Sequence, residues 1–196
     1  MKYFIPMIIL SLVLLSCSKE EEEGETDTTE TDTTTELEGT WKTACYTNSD
    51  NTTNIDTFIY AGNTWTIKDQ RYSDTACATV YQLEEIPLTF SIGDAVTFAN
   101  GKTGHKFTVT LGSTTKLTPQ SDSAVSYFNT SRKCGVNGWV LDTAKECDID
   151  EDEAGETLYG VYQLDGNKLY PKVDDDSYPP TSTVDTSDTE GTFTKQ

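Results

Sequence analysis

Apolar and polar residues alternate along much of this chain, which is the pattern of a β-strand with one buried face. Residues 64–68 read Thr-Trp-Thr-Ile-Lys, and residues 106–111 place Phe107, Val109 and Leu111 on one face. We predict further strands at 40–46, 55–60, 77–83, 87–92, 95–99, 158–164, 168–173 and 192–195. Turn-forming triplets at 61–63, 92–94, 100–102 and 165–167 separate several of them. This spacing predicts a mainly β fold, either an antiparallel β-barrel or a β-sandwich.

One segment has convincing helix signals. Thr118 is a suitable N-cap, Pro119 suits the first helical position, and Gly135 would end the helix. The short apolar face would consist of Ala124, Val125 and Phe128. We therefore expect one short helix among the strands.

The N-terminus has the features of an export signal. Lys2 precedes a largely apolar stretch at 3–15, which is shorter than the roughly 20 residues of a membrane-spanning helix. The stretch ends in Leu14-Leu15-Ser16-Cys17, which resembles the lipobox of bacterial lipoproteins. The resemblance implies that residues 1–16 are a signal peptide and that Cys17 is lipidated. A plain signal peptide with a chance cysteine is the alternative interpretation.

Residues 17–38 form an acidic, threonine-rich stretch that cannot bury enough apolar surface to fold, so we predict a disordered tether after the lipidated cysteine. Lipid chains on Cys17 would anchor the protein stably in the outer membrane. The Lys19–Glu23 run resembles the signal that directs some Bacteroidetes lipoproteins to the cell surface. A simple acidic spacer is the other interpretation.

The charge distribution restricts the partners. The chain has 33 acidic and 14 basic side chains, a formal net charge of −19. The excess lies at 17–38 and 146–190, whereas residues 39–145 carry equal numbers of both signs. Because no basic surface is indicated, we expect no nucleic acid partner. The membrane is expected as a partner only through the lipid.

Four cysteines remain for residues 39–196, which we predict to be a single β domain. In an exported chain they indicate disulfides, with three possible pairings. We favour Cys45–Cys77 and Cys134–Cys147 because each pair links nearby segments. A zinc site is the competing interpretation, but there is no Cys-x-x-Cys and only one histidine, His105.

Several motifs resemble known bacterial proteins. Gly39-Thr-Trp41 resembles the Gly-x-Trp that opens lipocalins and lipocalin-like bacterial lipoproteins. Residues 39–45, 72–77, 134–139 and 167–170 are together similar to a set of uncharacterised secreted bacterial proteins. This resemblance implies a barrel-like body and supports the Cys45–Cys77 pairing. It implies no particular activity.

Catalytic motifs are missing from the sequence. It has no Gly-x-Ser-x-Gly, no phosphate-binding glycine loop and no His-Glu-x-x-His. We expect His105 to face solvent at a strand edge. A glycosidase-like pair of carboxylates is an open alternative, but no pattern selects one pair. We therefore expect that the protein is not an enzyme and needs no cofactor.

Calcium is the one cofactor for which the sequence gives a signal. Asp148, Asp150 and Asp152 have the alternate spacing of carboxylates in a calcium loop. Glu153 and Tyr159 stand where an EF-hand has glycine and glutamate, so a standard EF-hand is excluded. An irregular calcium site, with help from residues 174–176, and a solvated acidic loop are both open.

The aromatic residues leave the ligand question open. They could line a cavity or fill the barrel as its core. The residues concerned are Trp41, Trp65, Tyr72, Phe90, Phe98, Phe107, Trp139 and Tyr162. We expect non-catalytic binding of a small apolar or glycan ligand. The alternative is an adhesin-like or inhibitor module that binds another protein through exposed loops.

Overall fold

The structure is a computed structural model that describes residues 35–174, 177–180, 184 and 191–196. The predicted signal peptide, Cys17 and the tether as far as residue 34 lie outside the described residues, as do Asp175 and Asp176. The strands are β1 (Gly39–Lys42), β2 (Tyr46–Thr47), β3 (Thr53–Ala61), β4 (Thr64–Tyr72), β5 (Val80–Thr97), β6 (Thr103–Leu111), β7 (Thr114–Pro119), β8 (Lys145–Asp148), β9 (Thr157–Asp165), β10 (Lys168–Asp174) and β11 (Phe193–Lys195). Helix α1 (Asp122–Ser131) and a 3-10 turn (Lys133–Gly135) lie between β7 and β8.

Eight of these strands close into an antiparallel barrel. The order around the barrel is β1, β3, β4, β5, β6, β9, β10 and β11, and β11 pairs with β1 to complete the circle. Short β2 extends the pairing along β3, whereas β7 pairs with the first half of β5 and β8 pairs with β7. The predicted barrel is therefore confirmed, and the sandwich alternative is wrong. Closure removes the unpaired edges that an open sheet would expose.

The predicted strands at 77–83, 87–92 and 95–99 belong to one 18-residue strand, β5. The turn predicted at residues 92–94 is wrong, because the strand continues through a register shift between Ile92 and Ala95. Such a bulge bends a strand without ending it. The other three triplets form the turns β3–β4, β5–β6 and β9–β10, as predicted. We call the end of the barrel with these turns the turn end, and the opposite end, with α1, the helix end.

Helix α1 begins later than predicted. Ser121 is its N-cap and accepts a hydrogen bond from the Ala124 backbone N–H at 3.1 Å. The predicted cap residues Thr118 and Pro119 belong to β7, where pairing with β5 holds them in the sheet. The helix ends at Arg132 in the left-handed conformation, and Gly135 ends only the 3-10 turn. No helix among the described residues is long and apolar enough to cross a membrane.

Aromatic rings fill the barrel from the turn end. The ring of Phe58 stacks on Phe193 with centroids 3.8 Å apart and meets Trp65 edge-on at 4.7 Å. Of the predicted aromatic residues, Trp41, Trp65, Phe90, Phe107 and Tyr162 belong to this core. A second core beneath α1 contains Leu117, Phe128, Trp139 and Cys147. The other two predicted aromatics belong to neither core. Phe98 is buried outside both, and Tyr72 is only half-buried.

The last residues of the predicted tether belong to the folded body. Leu37 is 2% exposed in the barrel core, and the Trp41 indole N–H donates to its carbonyl oxygen at 2.6 Å. Glu36 accepts from the Tyr162 hydroxyl at 2.7 Å, and Glu38 accepts from the Gly62 N–H at 2.7 Å. Residues 36–38 of the predicted tether therefore contact the barrel. Leu37 is the reason, since it is an apolar side chain that the barrel can bury.

Both predicted disulfides are confirmed. Cys45–Cys77 joins the β1–β3 connection to the β4–β5 connection at the helix end, with α-carbons 6.0 Å apart. Cys134–Cys147 joins the 3-10 turn to β8, with α-carbons 5.2 Å apart. The bridges therefore hold together the connections that surround the helix end.

Candidate functional site

The inner face of strands β3, β4 and β5 changes from apolar to polar toward the helix end. Side chains two residues apart share a face, so the inner face of β4 runs from Trp65 and Ile67 to Asp69 and Arg71. The strand register places these polar residues in two rows. The acidic row consists of Asp56, Asp69 and Glu84, and the arginine row consists of Asn54, Arg71 and Gln82.

The three carboxylates of the acidic row bond to different partners. Asp69 Oδ2 accepts from Arg71 Nε at 3.0 Å, and Asp56 Oδ2 accepts from the Tyr46 hydroxyl at 2.5 Å. Glu84 Oε1 accepts a longer bond, 3.3 Å, from the Thr115 hydroxyl. Arg71 is the only cation in the two rows. One guanidinium therefore faces three carboxylates.

Burial affects the pKa of two of these side chains, Asp56 and Arg71. Burial raises the pKa of the Asp56 carboxyl; the Tyr46 hydrogen bond opposes the rise, and the nearby charge of Asp69 adds to it. Burial acts to lower the pKa of Arg71, but its hydrogen bond to Asp69 and the charges of Asp69 and Glu84 outweigh that effect and raise the pKa. The guanidinium is therefore held firmly in its charged form.

Two acceptor atoms in these rows have no partner among the residues that the structure describes. They are Asn54 Oδ1 and Asp69 Oδ1, and both atoms are buried. Asn54 as a whole is 4% exposed. Leaving a buried acceptor unpaired costs about 1–3 kcal/mol, so such atoms need an explanation. Neither residue is among those that line the two clefts at this end of the barrel.

A cleft of about 410 Å³ lies between α1 and the strands at the helix end. We call it the helix-end cleft. Its size is within the range of small-molecule sites, about 300–1,000 Å³. Its walls combine aromatic rings with charged and amide side chains. The lining residues are Asn51, Thr52, Arg71, Tyr72, Ser73, Tyr81, Gln82, Glu84, Tyr127, Phe128 and Lys133.

A second cleft of about 350 Å³ lies beside β8 and shares Glu84 and Lys133 with the first. Its walls include apolar side chains of β5, β6 and β7 together with the Cys134–Cys147 bridge. Asp148, Asp150 and Glu153 add carboxylates to it. This β8 cleft is therefore strongly acidic.

The structure places two of the three predicted calcium ligands, Asp148 and Asp150, on the β8 cleft, but not Asp152. Asp148 ends β8, and Asp150 and Asp152 lie in the turns that follow. Within residues 35–174 and the short described segments beyond, no three His, Cys, Asp or Glu side chains are placed to hold a metal ion. Asp174 ends β10, and the two aspartates that follow it, Asp175 and Asp176, lie outside the described residues. The calcium site stays a prediction.

His105 is partly buried at the turn end, although we expected it to face solvent. Its Nδ1 lies 3.2 Å from the Gly93 carbonyl oxygen, and its ring stacks on Tyr162 with centroids 5.9 Å apart. Its Nε2 lies 3.9 Å from Glu36 Oε1. These contacts give His105 a structural role at the turn end.

The residues of the helix-end cleft were missed by the sequence analysis. One local signal was available, because β4 and β5 each place polar residues at positions that continue an apolar face. In β5 these are Gln82 and Glu84, which precede Ile86 and Leu88 on the same face. Tyr127 lies on α1, and no comparable pattern in the sequence indicated that it would line the cleft.

Comparison with known proteins adds no family assignment. No model of a known protein family matches the chain, and no curated protein is significantly similar to it.

Proposed function

We propose that this protein is a lipid-anchored binding protein of the cell envelope, and that its helix-end cleft binds a small ligand rich in hydroxyl groups, such as a glycan, without catalysis. One observation carries the proposal. The cleft places the tyrosines Tyr72, Tyr81 and Tyr127 beside the polar side chains of Arg71 and Glu84 in about 410 Å³.

The chemistry of the cleft favours a glycan over an apolar ligand. Interlocked aromatic rings occupy the apolar half of the barrel, whereas the cleft lies against its polar half. A sugar ring has apolar C–H faces that pack on aromatic rings, and its hydroxyl groups exchange hydrogen bonds with carboxylate, amide and guanidinium groups. A small number of polar groups in fixed positions is enough to orient such a ligand.

The bonding of the carboxylates supports binding without catalysis. Asp69 is engaged by Arg71 and Asp56 by Tyr46. General acid–base chemistry on a glycosidic bond needs two carboxyl groups that flank the bond. Glu84 is the only carboxylate among the described residues that line the cleft, so its described walls offer no such pair.

Binding to oligosaccharides tests the proposal. Isothermal calorimetry with a panel of neutral oligosaccharides should give saturable binding to the body of the protein. Tyr81→Ala and Tyr127→Ala should each weaken it about 3- to 10-fold, since aromatic packing contributes about 0.5–1.5 kcal/mol. Tyr178→Ala is the matched control, because Tyr178 lies over Lys106 and Tyr159, away from the cleft. No binding by any oligosaccharide, or equal affinity in all variants, would refute the proposal.

The membrane anchor is proposed from the lipobox sequence. Cys17→Ser should abolish fatty-acid labelling and leave either uncleaved precursor or a soluble form. A variant that still carries label and fractionates with membranes would show that Cys17 is not the lipidated residue.

Replacing Lys19–Glu23 with serine and glycine should reduce digestion by protease added to intact cells, if that run directs export to the surface.

A protein-binding module is the second candidate, and exposed apolar side chains favour it. Val140 is 57% exposed and Leu141 is 42% exposed, and both follow Trp139 in the segment bonded to α1. A protein partner would cover them. Its binding should be lost in a Val140→Ser, Leu141→Ser double variant and kept in Tyr81→Ala, whereas a cleft ligand should give the opposite result.

A further inference from the structure

The β8 cleft is lined by aliphatic side chains that come from both cores. Ile86 and Leu111 pack against the barrel core, whereas Leu117 belongs to the second core beneath α1. Ile149 adds a fourth aliphatic side chain, and we call these four residues the aliphatic floor. Only Leu117 among them is fully buried, at 2% exposed. The aliphatic floor therefore has apolar surface left for a ligand to cover.

Four other residues that line the β8 cleft are acidic. They are Glu84, Asp148, Asp150 and Glu153, and Lys133 is the only cation among the described lining residues. The described walls therefore carry three more negative than positive charges. Like charges around one cleft raise the local negative potential, which attracts cations and repels anions. The charge of the cleft thus favours a cationic ligand.

Backbone hydrogen bonds hold the acidic segment 149–155 against the end of the barrel. The Ile149 N–H donates to the Ser113 carbonyl oxygen at 2.9 Å, and the Gly155 N–H donates to the Leu111 carbonyl oxygen at 3.1 Å. These bonds fix both ends of the segment on the last residue of β6 and on the turn that follows it. A cleft whose walls are already in place loses little conformational entropy when a ligand binds.

The two features of the cleft together fit a ligand that is both apolar and cationic. The aliphatic floor offers nothing to a bare metal ion, and among the described residues no three His, Cys, Asp or Glu side chains are placed to hold one. A primary ammonium needs no such convergence, because its three N–H groups donate to separate acceptors. A lysine side chain combines the same features when its stem covers apolar surface and its ammonium stays at the polar edge. A free aliphatic amine suits a cleft of about 350 Å³, which is at the small end of ligand sites.

We propose that the β8 cleft binds a small aliphatic amine, with its alkyl chain on the aliphatic floor and its ammonium group beside Asp150 and Glu153. This site is separate from the oligosaccharide site proposed for the helix-end cleft, and the inference does not depend on that proposal. It gives the acidic segment after β8 a role in binding.

Three probes with six carbon atoms each test the inference at pH 7. Hexylammonium, hexanol and hexanoate carry a positive charge, no charge and a negative charge. Each is titrated into the full chain, with Cys17→Ser so that no lipid takes up the probe, and binding is followed through the amide NMR signals of residues 149–155. Hexylammonium should bind about 3- to 10-fold tighter than hexanol, because several exposed carboxylates each add a small attraction, and hexanoate should bind more weakly than hexanol. The preference should shrink as salt is added.

The length of the alkyl chain tests the aliphatic floor. Hexylammonium has two more CH₂ groups than butylammonium, and each buried CH₂ should tighten binding by up to about 4-fold. Equal affinities of the two amines would show that they meet only the carboxylates, which would overturn the inference.

Two double variants locate the ammonium group. Asp150→Asn with Glu153→Gln removes two charges from the cleft and should weaken hexylammonium binding about 3- to 10-fold, without changing the affinity for hexanol. Glu151→Gln with Asp152→Asn is the matched control, because it removes two charges from the same segment at exposed positions outside the cleft lining. Circular dichroism confirms that both variants are folded. Equal losses would mean that only the net charge of the segment attracts the amine, and the inference would be wrong.

Two further measurements separate this inference from the other sites. Calcium that binds to the chain and is lost in the Asp150→Asn, Glu153→Gln variant, without any binding of hexylammonium, would overturn the inference in favour of a metal site. Tyr81→Ala alters the helix-end cleft alone and should leave the affinity for hexylammonium unchanged. A loss of amine binding in that variant would place the amine in the helix-end cleft and would also overturn the inference.

Discussion

The ring of Phe107 lies over the α-carbon of Gly160, its register partner on β9. A β-carbon built on Gly160 would lie 2.2 Å from Phe107 Cζ, far inside van der Waals contact. The missing side chain gives Phe107 room to pack between Trp65 and Tyr162, with ring centroids 6.0 Å away in each case. The aromatic core therefore depends on a small residue opposite a large one.

Replacing Gly160 with alanine should destabilise the barrel. The added methyl group displaces the Phe107 ring, and overpacking of this kind costs about 1–3 kcal/mol. Urea denaturation should show a lower midpoint with an unchanged slope. Gly93→Ala is the control, because a β-carbon there meets nothing closer than 3.6 Å. We expect its stability to change by less than about 0.5 kcal/mol. Equal losses would show that the ring does not determine the effect.

The barrel strands were predictable because alternation of apolar and polar residues is a local signal. The pattern found the turn at Gly62, where the chain reverses after β3. It failed at Gly93, because β5 pairs with β6 on both sides of this glycine, which lies in a bulge. It also failed at Thr118 and Pro119, whose local helix signals are outweighed by pairing with β5. In each failure a tertiary contact decided the structure.

Polar residues on the apolar faces of β4 and β5 were visible in the sequence, but the acidic row of the candidate site was not predictable, because it depends on register between strands. Asp56, Asp69 and Glu84 come from three different strands, and their alignment follows only from the observed pairing. The calcium ligands were predicted from spacing along the chain alone, and the calcium site stays a prediction. Their spacing along the chain suggested convergence, but the turns after β8 do not bring three carboxylates together within the described structure.

Leu37 should contribute to stability although it lies in a largely polar stretch. It is 2% exposed, and its carbonyl oxygen accepts from the Trp41 indole. Leu37→Ala should lower the free energy of unfolding by about 2–5 kcal/mol, as for other buried leucines. Leu141→Ala makes the same chemical change at a 42% exposed position and should have little effect. If the two variants are equally stable, residues 35–38 do not belong to the folded body.

The two disulfides should respond differently to salt when they are removed. Each double Cys→Ala variant should lose about 2–4 kcal/mol. Cys147 begins the acidic stretch at 146–190, where like charges oppose compaction, whereas Cys45–Cys77 lies in the electrically balanced part of the chain. Added salt screens such repulsion, so it should partly restore the variant without Cys134–Cys147 and leave the other unchanged. Identical salt responses in urea denaturation would rule out the electrostatic contribution.

Because of Asp56, the free energy of unfolding should decrease as the pH rises. Burial raises its pKa in the folded state above the ordinary value of an aspartate, about 3.9. Between these two pKa values the folded state binds more protons than the unfolded state, so stability falls with increasing pH. Asp56→Asn removes this titration and keeps an acceptor for the Tyr46 hydroxyl. The variant should therefore gain stability relative to the unmodified protein as the pH rises from 3 to 7.

Asp50 provides a control of opposite sign for the Asp56 experiment. Hydrogen bonds from the Thr52 hydroxyl, at 2.7 Å, and from the Thr52 backbone N–H, at 3.0 Å, lower the pKa of Asp50. A group with a lowered pKa stabilises the folded state above its unfolded pKa and loses that contribution as the pH falls. Asp50→Asn should therefore lose stability relative to the unmodified protein as the pH rises from 3 to 7. Urea denaturation across this range measures both differences. If the two variants follow the same trend, burial of Asp56 does not control its titration.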